Sequence, residues 1–289
     1  MLITMKEMLK VAQEHRFAVP AFNAGSGQLL TAMMESAEEK KAPVIMAIHP
    51  DELTFLRDSF VASVIYEANH STVPMVLHLD HGASYAQCIH AIQLGFTSVM
   101  IDGSQLAFAE NVALTQKVVE AAHAVGVSVE GELGTIGQTG NSIEHGTTEI
   151  IYTNPEDAKT FVEETGVDSL AVAVGTAHGI YPKGFVPKLK LGLIPEIRKG
   201  VTVPLVLHGG SSNPDKEIAE SVKLGITKIN ISSDIKFSFM TGVQKYLQET
   251  GFEREPNVIY PSCIRLCRAT IEEKMKLFND MDKVKYFVG

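Results

Sequence analysis

Short runs of apolar and β-branched residues alternate along the chain with longer stretches in which apolar residues recur every three or four positions. The short runs predict eight strands, over 18–23, 43–48, 75–80, 98–103, 128–133, 169–174, 204–209 and 226–231. Helical spacing between them predicts helices over 29–41, 85–94, 107–125, 154–165 and 214–224. Strand and helix in strict alternation build parallel βαβ units, and eight such units in ~250 residues suit a closed α/β barrel, the (β/α)8 TIM barrel. No linker interrupts the series, so residues 1–289 are expected to form a single domain.

The punctuation agrees. Gly95, Gly126, Gly166, Gly200 and Gly225 stand shortly before strands, where glycine allows a helix to end in a left-handed cap. The longest strand-to-helix connection, Gly134 to Thr153, holds four glycines and little apolar periodicity, and it reads as a mobile lid. After the eighth strand, 235–249 continues as helix, and 262–278 reads as an additional C-terminal amphipathic helix that covers the barrel or meets a neighbouring subunit. An open doubly wound sheet would need a glycine-rich fingerprint after its first strand, which Asn23-Ala-Gly-Ser-Gly-Gln28 does not supply.

Composition narrows the class of function. At 45% hydrophobic and 20% charged residues the chain can fill a core, and no apolar run approaches the ~20 residues of a membrane span. The net charge of −9 disfavours nucleic acid and anionic membranes as partners, but not a small phosphorylated ligand held by local backbone amides. Cys88, Cys263 and Cys267 are too few and odd in number for a disulfide framework. With no secretory signal visible at the N-terminus, a cytoplasmic location is expected.

Barrel active sites lie at the carboxyl ends of the strands. There this sequence is polar: His78-Leu-Asp-His-Gly82, Asp102-Gly-Ser104, Glu130-Gly-Glu132, Gly175-Thr-Ala-His-Gly179, His208-Gly-Gly-Ser211 and Asn230-Ile-Ser-Ser-Asp234. His81, His178 and His208 come from three strand ends; each alone could be a hydrogen-bonded histidine, but together they suit one Zn²⁺ with an open position for substrate. His78 shares strand parity with Asp80 and reads as an inward, hydrogen-bonded supporting residue. His15, His70, His90, His123 and His145 are expected in solvent. Gly209-Gly-Ser-Ser-Asn-Pro214 and Asn230 to Ser233 occupy the loops after strands seven and eight, where barrels commonly bind phosphate.

Val19-Pro-Ala-Phe-Asn23, His78-Leu-Asp-His-Gly82, Val99-Met-Ile-Asp-Gly103, Val129-Glu-Gly-Glu-Leu-Gly134, Gly175-Thr-Ala-His-Gly179, Leu207-His-Gly-Gly-Ser211 and Lys228-Ile-Asn230 resemble, in order, the class II ketose-bisphosphate aldolases of the fructose- and tagatose-bisphosphate type. The resemblance implies zinc-dependent, reversible cleavage of a ketose 1,6-bisphosphate to dihydroxyacetone phosphate and an aldehyde such as glyceraldehyde 3-phosphate. It implies His81, His178 and His208 as zinc ligands, Asp80 as acid/base, and Asp102 and Glu132 as a second metal position. It places the substrate against Asn23, Gly179, Gly209, Gly210, Ser211, Asn230, Ile231, Ser232 and Ser233, with a monovalent cation (Na⁺ or K⁺) beside the phosphate. A homodimer or homotetramer is implied as well.

The residue types suit that chemistry. A divalent cation on a ketone eases removal of the neighbouring proton, and no Schiff-base lysine is needed; Lys228, in mid-strand, is the one lysine within a strand segment. The chain also departs from the family pattern. The acidic run after strand five is replaced by Gly137-Gln-Thr-Gly-Asn-Ser-Ile-Glu-His-Gly146, which leaves Glu144 as the substitute base. The Asp-Pro-Arg element appears as Glu255-Pro-Asn257, so Arg265 or Arg268 is expected to take the distal phosphate, and His49 stands where small polar residues are usual. A noncatalytic sugar-phosphate-binding barrel is the alternative reading.

Overall fold

The computed structural model describes residues 1–139, 150–182 and 187–287. Eight parallel strands close into a barrel in chain order: β1 (Val19–Asn23), β2 (Val44–Ile48), β3 (Met75–Gly82), β4 (Ser98–Ile101), β5 (Ser128–Leu133), β6 (Ser169–Val172), β7 (Leu205–Leu207) and β8 (Ile226–Ile231). β8 closes on β1 with Val19 opposite Lys228 and Ala21 opposite Asn230. This is the expected (β/α)8 TIM barrel.

Strand alternation sorts the side chains into two layers. Phe22, Met46, Leu77 and Ile229 point outward and pack against the helices. Ala21, Ile45, Ala47, Val76, Ala171 and Val206 point inward. A helix not predicted from the sequence, Met5–His15, presents Met5, Met8, Leu9 and Ala12 to this inner cluster. Its Lys6 N–H donates to Ser128 Oγ at the start of β5, so it plugs the amino-terminal end of the barrel. A reciprocal cap starts the helix: Glu7 N–H donates to Thr4 Oγ1 and Thr4 N–H to the Glu7 carboxylate.

The predicted helices are present as Gly27–Lys40, Tyr85–Leu94, Phe108–His123, Pro155–Thr165, Asp215–Leu224, Ser233–Thr250 and Pro256–Leu277, and Pro50–Leu56, Asp58–His70 and Leu193–Gly200 add to them. Gly95, Gly166 and Gly225 form left-handed caps as expected. Gly200 does not: it is the last residue of its helix, and the extended Val201 follows as cap, so no left-handed turn is required there. Gly126 has positive φ but lies two residues beyond the cap, Ala124. The terminal helix packs on Ser233–Thr250 and Gly27–Lys40, burying Ile259, Cys263, Cys267, Ile271 and Met275 at four-residue spacing. Among the described residues no helix is long and apolar enough to cross a membrane.

Two irregularities shape the barrel mouth. Residues Gly137–Gln138 and Ala177–His178 form a small separate parallel sheet. The second lies in β3, which advances three residues from Leu79 to Gly82 while β4 advances two, from Val99 to Ile101. This is a bulge, and within it His81 adopts φ +52°. Consecutive residues of a regular strand face opposite sides, so the bulge is what turns both Asp80 and His81 toward the mouth. Gly82 makes the bulge possible, because a Cβ there would lie 2.5 Å from Met100 O and 2.9 Å from Leu79 Cδ2. Gly82→Ala is expected to lower unfolding stability by about 1–3 kcal/mol in a denaturant titration; an unchanged midpoint would show that the bulge tolerates a side chain.

Candidate metal centre and active site

Three imidazoles meet at the barrel mouth. His81 comes from the bulge of β3 and His208 directly follows β7. His178 is not at the end of β6, which stops at Val172, but on the extra two-residue strand, where its carbonyl accepts from Thr139 N–H at 2.7 Å. All three are buried, and one ring nitrogen from each lies within 4.8 Å of the others. The His81 ring stands nearly perpendicular to both, with centroids 4.9 Å from His178 and 4.6 Å from His208.

The hydrogen bonds decide how these rings present themselves. His81 Nδ1 lies 3.1 Å from Asp102 Oδ2, and His208 Nε2 lies 2.7 Å from Glu130 Oε1. Both carboxyls are held below the ordinary range: burial opposes their charge, but His81 and Ser104 outweigh it at Asp102, and Lys228 and His208 at Glu130. Ionised carboxylates only accept, so these two ring nitrogens carry the hydrogens. The nitrogens left facing inward, His81 Nε2 and His208 Nδ1, are 2.9 Å apart. Two lone pairs at that distance repel, so the site requires one positive charge between them. Burial opposes a proton on His81, yet Asp80, Asp102 and Glu132 raise it to about 10. A divalent ion satisfies the same requirement, and the donor set of three imidazoles, two of them backed by carboxylates, fits zinc.

Asp80 stands beside this centre. Its Oδ2 accepts from Asn23 Nδ2 at 3.0 Å, its Oδ1 from Asn230 Nδ2 at 2.8 Å, and Oδ1 lies 4.0 Å from His81 Nε2. Burial opposes its charge, but His81, His208 and Lys228 hold it well below the usual carboxylate range. Glu132 is the opposite case. Burial, with Asp102 next, pushes its carboxyl well above the ordinary value, and its buried Oε2 makes no hydrogen bond among the described residues. With His81 and Asp102 it forms a second group whose candidate ligand atoms lie within 4.8 Å of one another.

The family model of class II fructose-bisphosphate aldolase matches residues 3–283. The chain belongs to this family. It is 40% identical over 287 residues to a probable fructose-bisphosphate aldolase of Bacillus subtilis (strain 168), covering 98% of this chain and 99% of that one. It is 39% identical over 256 residues to the D-tagatose-1,6-bisphosphate aldolase subunit GatY of Klebsiella oxytoca, covering 88% and 89%. Among solved structures, the YdjI aldolase from Escherichia coli K12 superposes with TM-score 0.86 at 33% identity, covering 98% of this chain and 100% of that one. The protein is thus a class II aldolase, a carbon–carbon lyase.

In this aldolase the remaining predicted residues fall into three groups. Gly179, Gly209 to Ser211 and Asn230 to Ser233 gather at the mouth. Gly179 has φ +102°, and a Cβ there would lie 2.1 Å from Thr139 O. Gly210 N–H donates to Asn230 O, which ties the loop after β7 to the end of β8. Ser232 caps the helix Ser233–Thr250 without a side-chain hydrogen bond to its amides. His49 is buried at the end of β2, 6.3 Å from the His81 ring, and lines a cavity of about 280 Å³ with His81, Asp102, Gln87 and Gln105.

The second group is not brought to the centre. Arg265 is exposed on the terminal helix. Arg268 is turned to Glu35, Glu39 and Glu272. The third group, Glu144 with His145, lies outside the described residues. His15, His70, His90 and His123 are exposed, as expected. Two buried groups escaped a functional assignment from sequence, Glu130 and Lys228; the signal was their spacing two residues before Glu132 and Asn230, on the same strand face. Asn230→Ala removes a donor from buried Asp80, and a loss of about 1–3 kcal/mol is expected on denaturant unfolding; full retention of stability would show that the bond holds nothing.

Proposed function

We propose that this aldolase catalyses the zinc-dependent, reversible cleavage of a ketose 1,6-bisphosphate of the fructose or tagatose type, giving dihydroxyacetone phosphate and an aldehyde such as glyceraldehyde 3-phosphate. The observation that carries the reading is the convergence of His81, His178 and His208 within 4.8 Å, with Asp80 beside them. The names of the relatives supply the substrate type. Zinc on these three imidazoles supplies Lewis acidity toward a ketone and its neighbouring hydroxyl.

The chain's own residues do the rest. Asp80, ionised and aimed by Asn23 and Asn230, takes the proton of the carbon-4 hydroxyl as the bond from carbon 3 to carbon 4 breaks, and returns it to the aldehyde oxygen in condensation. Glu144 is the proposed base that moves the proton at carbon 3. The carbon-1 phosphate is assigned to the amides of Gly179, Gly209 and Ser211 and to those at the start of the helix Ser233–Thr250, where the helix dipole favours an anion, while Gly210 holds the loop in place through Asn230 O. A sodium or potassium ion beside that phosphate completes the proposal.

Purified protein is expected to carry one zinc per chain by elemental analysis and to lose ketose-bisphosphate cleavage on chelation, with recovery on adding zinc; full activity in excess chelator would contradict the reading. Asp80→Ala is expected to keep zinc and to lower turnover by ~10²-fold or more, whereas His208→Ala loses zinc and turnover together. Turnover in Asp80→Ala equal to that of the parent would remove Asp80 from the acid/base role.

A further inference from the structure

Beneath the histidine cluster the barrel interior holds two opposite charges that the aldol chemistry does not use. Lys228 on β8 and Glu130 on β5 are both wholly buried. Lys228 Nζ donates to both Glu130 oxygens at 2.9 Å, and Glu130 Oε1 accepts from His208 Nε2 at 2.7 Å. Ser169 Oγ adds a longer bond to Glu130 Oε2 at 3.4 Å. On its other side Lys228 Nζ lies 3.4 Å from His78 Nε2, whose Nδ1 is 2.8 Å from Ser98 Oγ. An ammonium only donates, so His78 accepts through Nε2 and donates to Ser98 through Nδ1. A continuous chain of contacts therefore runs from Ser98 across the barrel to His208.

Barrel interiors are usually filled by branched apolar side chains, and a buried ion pair is often no more stabilising than an apolar pair of the same volume. Stability alone does not explain this pair. We infer that Glu130 and Lys228 are positioning residues that fix the tautomer and angle of His208, so that Nδ1 and not Nε2 is offered to the metal. This inference rests on the zinc reading above. The carboxylate accepts the Nε2 hydrogen and so leaves the lone pair on Nδ1, the nitrogen that faces His81 Nε2 at 2.9 Å. Lys228 holds both carboxylate oxygens at this depth, so Glu130 cannot swing up to the metal itself; Glu132, one pleat above, occupies the mouth instead.

Substitution of Glu130 by glutamine separates this role from packing. The amide has a single oxygen to meet two donors, His208 Nε2–H and the Lys228 ammonium. With the oxygen on Lys228, its N–H₂ turns to His208 and drives the hydrogen onto Nδ1. The test compares the parent, Glu130→Gln, Lys228→Met and the double variant Glu130→Leu/Lys228→Met, in which no side chain at position 130 accepts from His208, each by zinc competition against a chromophoric chelator and by melting of the metal-free protein. Glu130→Gln is expected to bind zinc about 10–100-fold more weakly. Lys228→Met, which strands a buried carboxylate, is expected to melt earliest. The double variant should regain melting temperature while zinc affinity stays low, a split that a merely structural pair would not produce.

In the unmodified zinc-loaded protein, ¹⁵N resonances of the His208 ring should report hydrogen on Nε2; hydrogen on Nδ1 would overturn the inference without any variant. Zinc bound by Glu130→Gln and the double variant as tightly as by the parent would overturn this inference alone. A parent that takes up no zinc would overturn the proposed function and this inference with it.

Discussion

Two ring nitrogens, His81 Nε2 and His208 Nδ1, face each other at 2.9 Å, and each ring's other nitrogen is committed to a carboxylate. That constraint organises the mouth of the barrel. Two neutral imidazoles so arranged would repel, so the fold is stable here only around a positive charge. In the metal-free protein a proton on His81 serves, drawn there by Asp80, Asp102 and Glu132 against the cost of burial. The β3 bulge and the glycine at position 82 serve the same cluster: without them, Asp80 and His81 would point to opposite faces of the strand, and the two could not both reach the mouth as the proposed roles require.

Charge is also graded with depth. At the lower level Glu130, Lys228 and His78 satisfy one another inside the barrel, and burial together with Lys228 keeps His78 neutral down to about 3. One pleat higher, Asp80 and Asn230 are paired, while Glu132 keeps a buried oxygen that accepts no hydrogen bond among the described residues. The lower groups meet His208 from beneath, and the upper ones lie beside the histidine cluster at the mouth. The same strands serve both levels because positions two apart share a face, as Glu130 and Glu132 do on β5 and Lys228 and Asn230 on β8.

Much of this was legible in the linear chain. Apolar runs bounded by helical spacing located all eight strands, because a parallel strand buried on both faces must be nearly continuous in apolar residues. The polar residues that end those runs then marked one rim of the barrel. Met5–His15 was missed although Thr4 and Glu7 spell a capping box, since it precedes the alternating series and plugs its base. Pro50–Leu56 begins directly at His49, with no break in the chain to announce it. The Ala177–His178 strand and the β3 bulge left no local pattern, because hydrogen bonds to Thr139 and the register against β4 create them. The terminal helix offers Arg265 and Arg268 for the distal phosphate, but acidic partners on a neighbouring helix already engage Arg268.

The account stands or falls on what surrounds the metal. X-ray absorption at the zinc edge of the loaded, substrate-free protein reads that environment directly. It should show three imidazole nitrogens at about 2.0–2.1 Å, with oxygen completing the shell and no sulfur. A shell with fewer imidazoles, or one containing thiolate, would contradict the assignment of His81, His178 and His208.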